Sequence, residues 1–171
     1  MKAIVYTSQT GSAAEYAGLL GKAVGLPVYT VSEAKKALAA GDEILYIGWV
    51  MASVVQGYKA SAARYRVAAV CAVGLSPDPG QSAVIRAKTG VPDKLPLFML
   101  QGNFALTRLH GIQKLVMKML LVSLAKTEKR TAEEEEMYCA VRDGVTAVAA
   151  DKLCPVREWY AKTQKQEEGT T

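Results

Sequence analysis

Residue types that commonly carry catalysis or bind metals are scarce in this sequence. Its 171 residues include one histidine and three cysteines. Because these ligands are few and scattered, we expect no metal site, and we expect His110 at the surface or in a satisfied position. The pattern assembles no Ser-His-Asp set, acidic dyad or metal cluster, and it identifies no catalytic residue. Any chemistry would therefore have to come from a bound cofactor.

The three cysteines, Cys71, Cys139 and Cys154, show no disulfide pattern. They are odd in number, none lies in C-x-x-C spacing, and a chain of this length does not need disulfides to fold. We therefore expect unpaired thiols and a reducing, cytoplasmic location. Cys71 lies in the middle of a predicted strand, where we expect it to be buried and inert.

Long hydrophobic runs and flexible linkers are also missing. No stretch of 18 or more apolar residues is present to span a bilayer, and no charged-then-apolar leader precedes the first strand, so we expect no secretory signal. No Pro/Gly/Ser-rich segment divides the chain, and half of its residues are apolar. We expect a single domain over residues 1–166 and a disordered tail at 167–171.

The charge balance is basic, with 21 lysines and arginines against 16 acidic residues, for a net charge of +5. Such a balance favours an anionic partner, which can be nucleic acid, an acidic protein or a membrane surface. The lysines and arginines are not interleaved with aromatic residues, and no recognition motif is present. We therefore expect no binding to nucleic acid.

Five short segments with strand patterns alternate with helical patterns. The third, residues 43–48, is a nearly unbroken apolar run, as expected for a strand that is buried on both faces. The alternation predicts an α/β fold with a parallel sheet. The predicted strands are residues 2–6, 27–31, 43–48, 66–73 and 95–100.

Apolar residues at helical spacing predict the connecting helices. The first helix begins directly after the turn that follows the first strand. Ser32 is the expected N-cap of a short helix over residues 33–39, and Thr131 heads an acidic run, residues 133–136, that suits a helix N-terminus. The other predicted helices are residues 54–65, 81–89, 106–126 and 155–166.

The turn after the first strand is rich in small and hydroxyl side chains. The first amides of a helix have no internal acceptors, and the helix dipole places partial positive charge there. A phosphate can bind to those amides without lysine or arginine, and the turn's one glycine lets the backbone approach closely. The candidate phosphate-binding residues are Thr7, Ser8, Gln9, Thr10, Gly11, Ser12 and Ala13.

The kind of phosphate is restricted by what this turn does not contain. It matches neither the dinucleotide fingerprint G-x-G-x-x-G nor the Walker loop. Hydroxyl residues without lysine suit a terminal monophosphate ester better than a di- or triphosphate with magnesium. An ordinary strand-to-helix turn, capped by Thr10 or Ser12, is the alternative interpretation.

Residues 6–15, YTSQTGSAAE, resemble the phosphate loop of the flavodoxin family. In that family the loop precedes an alanine-rich helix and binds the phosphate of flavin mononucleotide (FMN). Ala13 stands where the family has its last threonine, so one hydroxyl donor is missing. The resemblance implies FMN as cofactor and a three-layer flavodoxin-like fold, with five parallel strands in the order 2-1-3-4-5 and helices on both faces. In that order the crevice lies at the carboxyl ends of strands 1, 3 and 4.

Two further loops would reach that crevice and hold a flavin ring. Such a ring needs aromatic or aliphatic walls and polar groups at its edge. Trp49 or Met51 could cover a ring face and Ser76 could reach the ring edge. The alternatives are a core position for Trp49 and a simple tight turn at residues 77–80. The candidate ring-binding residues are Trp49, Val50, Met51, Ala52, Ser53, Gly74, Leu75 and Ser76.

The C-terminal half carries a second resemblance. Residues 97–104, 109–120 and 151–159 are similar to small bacterial flavodoxin-domain proteins related to menaquinone-dependent protoporphyrinogen dehydrogenase. The resemblance implies an FMN-dependent oxidoreductase that passes electrons to a quinone or a redox partner protein, with a porphyrinogen or a quinone as the first substrate class. Two alternatives stay open: a non-enzymatic electron carrier with the same cofactor, and a binding module that has lost FMN.

The predicted helix over residues 106–126 is amphipathic and basic. We expect its apolar face to cover the sheet, with Lys114 and Lys118 lying off that face in water. Peripheral contact of this helix with the inner face of an anionic membrane is the alternative. The apolar face consists of Leu109, Ile112, Leu115, Val116, Met119 and Leu120.

Overall fold

Strands and helices alternate along the part of the chain that the computed structural model describes, residues 1–75, 79–103, 111–127, 131–144 and 146–168. The strands are β1 (Ala3–Thr7), β2 (Val28–Thr30), β3 (Glu43–Met51), β4 (Val54–Val55), β5 (Arg66–Gly74) and β6 (Leu97–Gln101). The α-helices of these ranges are α1 (Ser12–Val24), α2 (Val31–Ala37), α3 (Tyr58–Ala62), α4 (Pro79–Thr89), α5 (Gly111–Ala125), α6 (Ala132–Asp143) and α7 (Cys154–Glu168). A short 3-10 helix, Ala150–Leu153, leads directly into α7.

The strands form one mostly parallel sheet, which confirms the predicted α/β class. Its order is β2-β1-β3-β5-β6, and β4 pairs with β3 off this path. β1 is parallel to β2 and β3, and β5 is parallel to β3 and β6. The predicted count of five strands in the order 2-1-3-4-5 is wrong because it omits β4, whose two residues are too few to show a strand period.

Side chains alternate between the two faces of the sheet, as the period of a strand requires. On β1, Ile4 belongs to one buried apolar cluster and its neighbour Val5 belongs to the other. The first cluster also contains Leu20 of α1 and Val156 of α7, and the second contains Ile85 of α4. Helices therefore flank the sheet on both of its faces.

Helix α7 packs on the sheet beside α1. Its Trp159 ring lies 6.0 Å from the Phe98 ring of β6, centre to centre. Leu153 and Val156 are buried in the same cluster as Tyr16 of α1. This face of the sheet is therefore covered by the last helix of the chain.

Helix α5 does not cover the sheet, so the expectation for residues 106–126 is wrong. It packs mainly on α6, and Leu124 of α5 and Val141 of α6 are buried. Three members of the predicted apolar face, Leu115, Val116 and Met119, are exposed. The physical reason is that α7 already occupies the sheet face, so α5 and α6 form an additional helical pair. Residues 106–110 lie outside the described residues.

The segment that was predicted as a helix over residues 54–65 begins with a strand. Ala52 and Ser53 adopt positive φ angles of 50° and 62°, which reverse the chain so that β4 pairs antiparallel with the end of β3. Val55 of β4 is buried, and its amide donates to the Thr89 hydroxyl at 3.0 Å. The helical part of this segment is limited to α3.

Helix α2 is capped by Thr30 rather than by the predicted Ser32. The Thr30 hydroxyl accepts from the Glu33 amide at 3.3 Å, and the Glu33 carboxylate accepts from the Thr30 amide at 2.8 Å. This reciprocal pair is a capping box, and its hydrogen bonds lower the pKa of Glu33. The helix begins earlier than predicted because Thr30, at the end of β2, is extended and supplies the cap. Ser32 therefore lies inside α2.

The helices near the C-terminus begin and end close to the predicted positions. Thr131 caps α6 as expected: its hydroxyl accepts from the Glu134 amide at 3.2 Å, and the Glu134 carboxylate accepts from the Thr131 amide at 2.9 Å. α7 extends to Glu168, so residues 167 and 168 are helical rather than part of the predicted disordered tail. Residues 169–171 lie outside the described residues.

Replacing Thr30 by alanine should destabilise the protein by about 1 kcal/mol, because the Glu33 amide loses its capping acceptor. The matched Ser32→Ala change should cost clearly less, since among the described residues the Ser32 hydroxyl has one hydrogen-bond partner, the Thr30 hydroxyl at 3.0 Å. Urea denaturation of the unchanged protein and both variants measures the two differences. Equal losses, or a larger loss for Ser32→Ala, would contradict the assigned cap.

The same cap should make stability depend on pH. Hydrogen bonds from Thr30 lower the pKa of Glu33 below its ordinary value of 4.5, so its carboxylate stabilises the fold above that pH. The contribution is lost as pH falls through the lower, folded-state value. Unfolding free energies of the unchanged protein and Glu33→Gln should therefore differ most at neutral pH and converge in acid. A difference that stays constant with pH would refute the role of the charged carboxylate.

Candidate functional site

A cleft of about 200 Å³ opens at the carboxyl ends of the parallel strands. The register aligns these ends, since Thr7 of β1 pairs with Gly48 of β3, which pairs with Ala72 of β5. Segments that are far apart in sequence therefore meet there. The lining residues are Ser8, Gln9, Thr10, Ser12, Ala13, Trp49, Val50, Met51, Val73, Gly74, Leu75, Gly102, Asn103, Val116 and Met117.

The start of α1 forms one end of the cleft and has no side-chain cap. Gly11 precedes the helix with a φ of 100°, a conformation that favours glycine. The Glu15 amide donates to the Gly11 carbonyl at 2.9 Å, which closes the first turn. The amides of residues 12–14 come before that bond, and we find no acceptor for them in the described part of the chain. The predicted cap at Thr10 or Ser12 is therefore wrong.

Three hydroxyls of the predicted phosphate turn are used inside the protein. The Thr7 hydroxyl donates to the Gln56 carbonyl at 2.8 Å, and it lies outside the cleft lining. The Ser8 hydroxyl accepts from the Gly11 amide at 3.2 Å, and the Ser12 hydroxyl donates to the Asn103 carbonyl at 3.1 Å. The turn therefore holds its shape with its own hydroxyls. The Ser8 hydroxyl accepts in its bond, so its proton stays available as a donor at the cleft lining, next to Thr10.

The cleft lining carries no charged side chain among the described residues. No carboxylate there would repel an anion, and no lysine or arginine there would attract one. Within the lining, the partial positive charge at the start of α1 is therefore the main source of electrostatic attraction. The nearby Glu15 carboxylate, in the first turn of α1, is exposed and accepts from the Asn103 side chain. A small anionic group is the kind of ligand that this end of the cleft can hold.

Part of the cleft lining is an apolar wall. Trp49, Val50 and Met51 line it, but they belong to β3 rather than to a loop, because the strand continues to Met51 and pairs there with β4. Ala52 and Ser53 make the reversing turn and are not part of the lining. Of the predicted segment 49–53, three residues therefore face the cleft and two do not.

The third predicted segment is only partly described. Gly74 is the last residue of β5, and both Gly74 and Leu75 line the cleft. Ser76 and the following residues 77–78 lie outside the described residues. Gly11 is not part of the lining. Its positive φ turns the chain between Thr10 and Ser12, which do line the cleft.

Five lining residues were missed from the sequence: Val73, Gly102, Asn103, Val116 and Met117. Val73 pairs with Trp49 in the sheet register and is the last residue of the predicted strand 66–73, so its place at a carboxyl strand end was the signal that could have found it. Gly102 and Asn103 directly follow β6, so they too lie at the carboxyl end of a parallel strand. Val116 and Met117 belong to α5. No local sequence pattern predicts that this helix lies at the cleft.

Asn103 connects three parts of the chain beside the cleft. Its side-chain oxygen accepts from the amides of Ala147 and Val148 at 2.7 and 2.9 Å. Its side-chain nitrogen donates to Glu15 Oε2 at 3.2 Å, and its carbonyl accepts from Ser12. The residue therefore joins both ends of the segment that contains α5 and α6 to the first turn of α1.

Tyr16 supports the same connection from within the core. Its hydroxyl donates to the Gln101 carbonyl at 2.8 Å and approaches the Ala147 carbonyl at 3.3 Å. Burial raises the pKa of Tyr16, so its hydroxyl stays protonated and remains a donor. The segment near residue 147, which follows α6, is thus held by hydrogen bonds to two residues, Asn103 and Tyr16.

The cysteines are unpaired, as predicted: Cys71 is buried, Cys139 is half-buried and Cys154 is exposed. Burial raises the pKa of the Cys71 thiol, so this thiol is unreactive near neutral pH. Within the described ranges, no three His, Cys, Asp or Glu side chains are arranged to hold a metal ion. No helix in those ranges is long and apolar enough to cross a bilayer.

Comparison of the chain with protein-family models, with curated proteins and with solved structures finds no match in any of the three. The likeness to flavodoxins therefore rests on the residues quoted above and stays an expectation.

Replacing Asn103 by alanine should destabilise the protein by about 1–3 kcal/mol, because the amides of Ala147 and Val148 lose their shared acceptor. Asn103→Asp keeps an acceptor for both amides but places a second carboxylate beside Glu15, which the Asn103 side chain contacts at 3.2 Å. In a Glu15→Gln background, which removes that repulsion, the aspartate should therefore cost less than the alanine. Thermal and urea unfolding measure both variants. An alanine variant as stable as the unchanged protein would show that Asn103 does not hold this junction.

Proposed function

We propose that the chain binds FMN noncovalently in this cleft and acts in electron transfer. The observation that supports the proposal is that one cleft combines an uncapped helix start with an apolar wall. FMN has the matching chemistry, since a phosphate ends its ribityl chain and its ring is flat with apolar faces. The arrangement of parallel strands is compatible with a flavodoxin-like fold, which we propose on the same basis.

The start of α1 would hold the phosphate. The backbone amides of residues 12–14 and the half-buried hydroxyls of Ser8 and Thr10 are the donors that it would offer to a monophosphate ester. The absence of a lining lysine among the described residues fits one phosphate better than a chain of them. Ala13 lacks the hydroxyl that the flavodoxin pattern has here, so we expect this turn to bind the phosphate more weakly than a flavodoxin does.

The apolar wall would hold the ring. Trp49, Met51 and Leu75 provide aromatic and aliphatic surface on the strand side of the cleft, and Val116 and Met117 provide it on the side of α5. FMN, when bound, supplies the redox chemistry. The contribution of the chain is to exclude water from the ring and to keep its phosphate in place, so that only one region of the ring meets a partner.

As an enzyme, the protein would pass reducing equivalents from an organic donor to a quinone or a redox partner protein. A porphyrinogen or a quinone is the first substrate class to test, as the likeness of residues 97–104 and 109–120 suggests. We place this activity in the cytoplasm, where the three unpaired thiols stay reduced. A carrier would instead turn over only with a protein partner, so steady-state assays with a quinone and a porphyrinogen separate the two.

A binding module that has lost FMN is the second candidate. Two observations favour it: Ala13 removes a phosphate donor, and the hydroxyls of Thr7 and Ser12 are engaged within the protein. Such a module would show no visible chromophore and would not take up the flavin.

Titration with FMN and with riboflavin tests the phosphate part of the proposal. FMN should bind at least about tenfold more tightly, because riboflavin has the ring but no phosphate. Thr10→Asp adds a negative charge at the cleft lip, so it should weaken FMN binding by about tenfold and leave riboflavin binding unchanged. Flavin fluorescence quenching measures all four affinities.

The matched control is Ser32→Asp, which adds the same charge at the first turn of α2, outside the cleft lining. It should leave FMN binding unchanged. Equal affinities for FMN and riboflavin would refute the phosphate site, and no uptake of either would refute flavin binding altogether.

A further inference from the structure

Helix α5 exposes an unusual amount of apolar surface. Six large apolar side chains are recorded as exposed among the described residues, and four of them lie on this one helix. They are Leu115, Val116, Met119 and Val122, each between 53% and 64% exposed. A contiguous patch of this kind on a protein surface usually marks a binding surface.

The two faces of α5 are distinct. Leu115, Met119 and Val122 are spaced four and three residues apart, which places them in one row along the helix. Leu124 is buried, and Met117 and Leu121 are half-buried. These three residues repeat the same spacing on the other side. We call the exposed row the α5 stripe; it points away from the side that packs within the protein.

The charged side chains that α5 itself places beside the α5 stripe are positive. Helix α5 contains Lys114 and Lys118 and no acidic residue. Lys118 is exposed and lies three residues after Leu115 and four before Val122, so it borders the stripe. Lys126 follows directly after the helix and is also exposed. The surface is therefore apolar along its centre and cationic at its edge.

An anionic lipid surface matches this combination. Apolar side chains of an interfacial helix enter the region between headgroups and acyl chains, while lysine stems lie along that region and place their ammonium groups among acidic headgroups. A second copy of the chain matches less well. A two-fold contact between two α5 stripes would bring the Lys118 side chains of both copies close together, where like charges repel.

We propose that α5 docks this protein on an anionic membrane surface through the α5 stripe. The docking itself does not require a flavin. One consequence rests on the proposed function: Val116 and Met117 of the same helix line the cleft, so a lipid-soluble electron acceptor would reach the bound ring along an apolar path.

Sedimentation with lipid vesicles tests the docking. The protein should bind vesicles that contain phosphatidylglycerol and phosphatidylcholine, and it should bind pure phosphatidylcholine at least about tenfold more weakly. Adding salt should release it, because screening weakens the attraction between lysines and headgroups. Lys118→Glu and the double change Leu115→Gln with Met119→Gln should each reduce binding by about tenfold or more.

Helix α4 offers matched controls. Val84 is 47% exposed, and Lys88 is exposed four residues later on the same helix. Val84→Gln and Lys88→Glu therefore repeat the two chemical changes away from α5, and both should leave vesicle binding unchanged. Thermal unfolding by circular dichroism checks that every variant folds.

Three outcomes would overturn the proposal: no vesicle binding, equal binding to neutral and anionic vesicles, or equal losses in the α4 and α5 variants. Light scattering tests a fourth outcome. If the unchanged protein is a dimer and the Leu115 and Met119 changes make it a monomer, a second copy of the chain, and not a membrane, covers the α5 stripe. FMN titration of the α5 variants separates this proposal from the proposed function, because neither Leu115 nor Met119 lines the cleft. Their flavin affinity should equal that of the unchanged protein.

Discussion

The start of helix α1 depends on the backbone of Gly11. Its positive φ lets the chain leave β1 and enter the helix without a side-chain cap. A residue with a capping side chain would satisfy one of the first amides, and the helix start would lose part of its ability to bind an anion. The hydroxyls of Ser8 and Ser12 are used to hold the turn and to join it to Asn103. The turn is thus held by its own hydroxyls beside the cleft, without a side-chain cap on the first amides of α1.

The sheet places this helix start and an apolar wall in the same cleft. Parallel pairing brings the carboxyl ends of β1, β3 and β5 to one edge, and β4 extends β3 so that Met51 reaches the cleft as part of a paired strand. Asn103 and Tyr16 then attach the returning chain to α1 and β6. The polar end and the apolar end of the cleft therefore have fixed positions relative to each other.

Much of the sheet could be predicted from the sequence, because the apolar run at residues 43–48 and the alternation of strands and helices are strong local signals. The parts that could not be predicted depend on contacts between distant segments. Val54 and Val55 fit a helix as well as a strand, and only the reversal at Ala52 and Ser53 decides between them. The position of α5 depends on the fact that α7 covers this face of the sheet. No residue pattern within α5 itself indicates this.

We propose above that the amides at the start of α1 bind a phosphate. Amide proton–nitrogen correlation NMR during a titration with FMN tests it most directly, because each backbone amide gives its own signal. We expect the largest downfield shifts from the amides of residues 12–14, and we expect riboflavin to leave these signals unchanged. Shifts confined to other segments, or equal shifts with riboflavin, would contradict it.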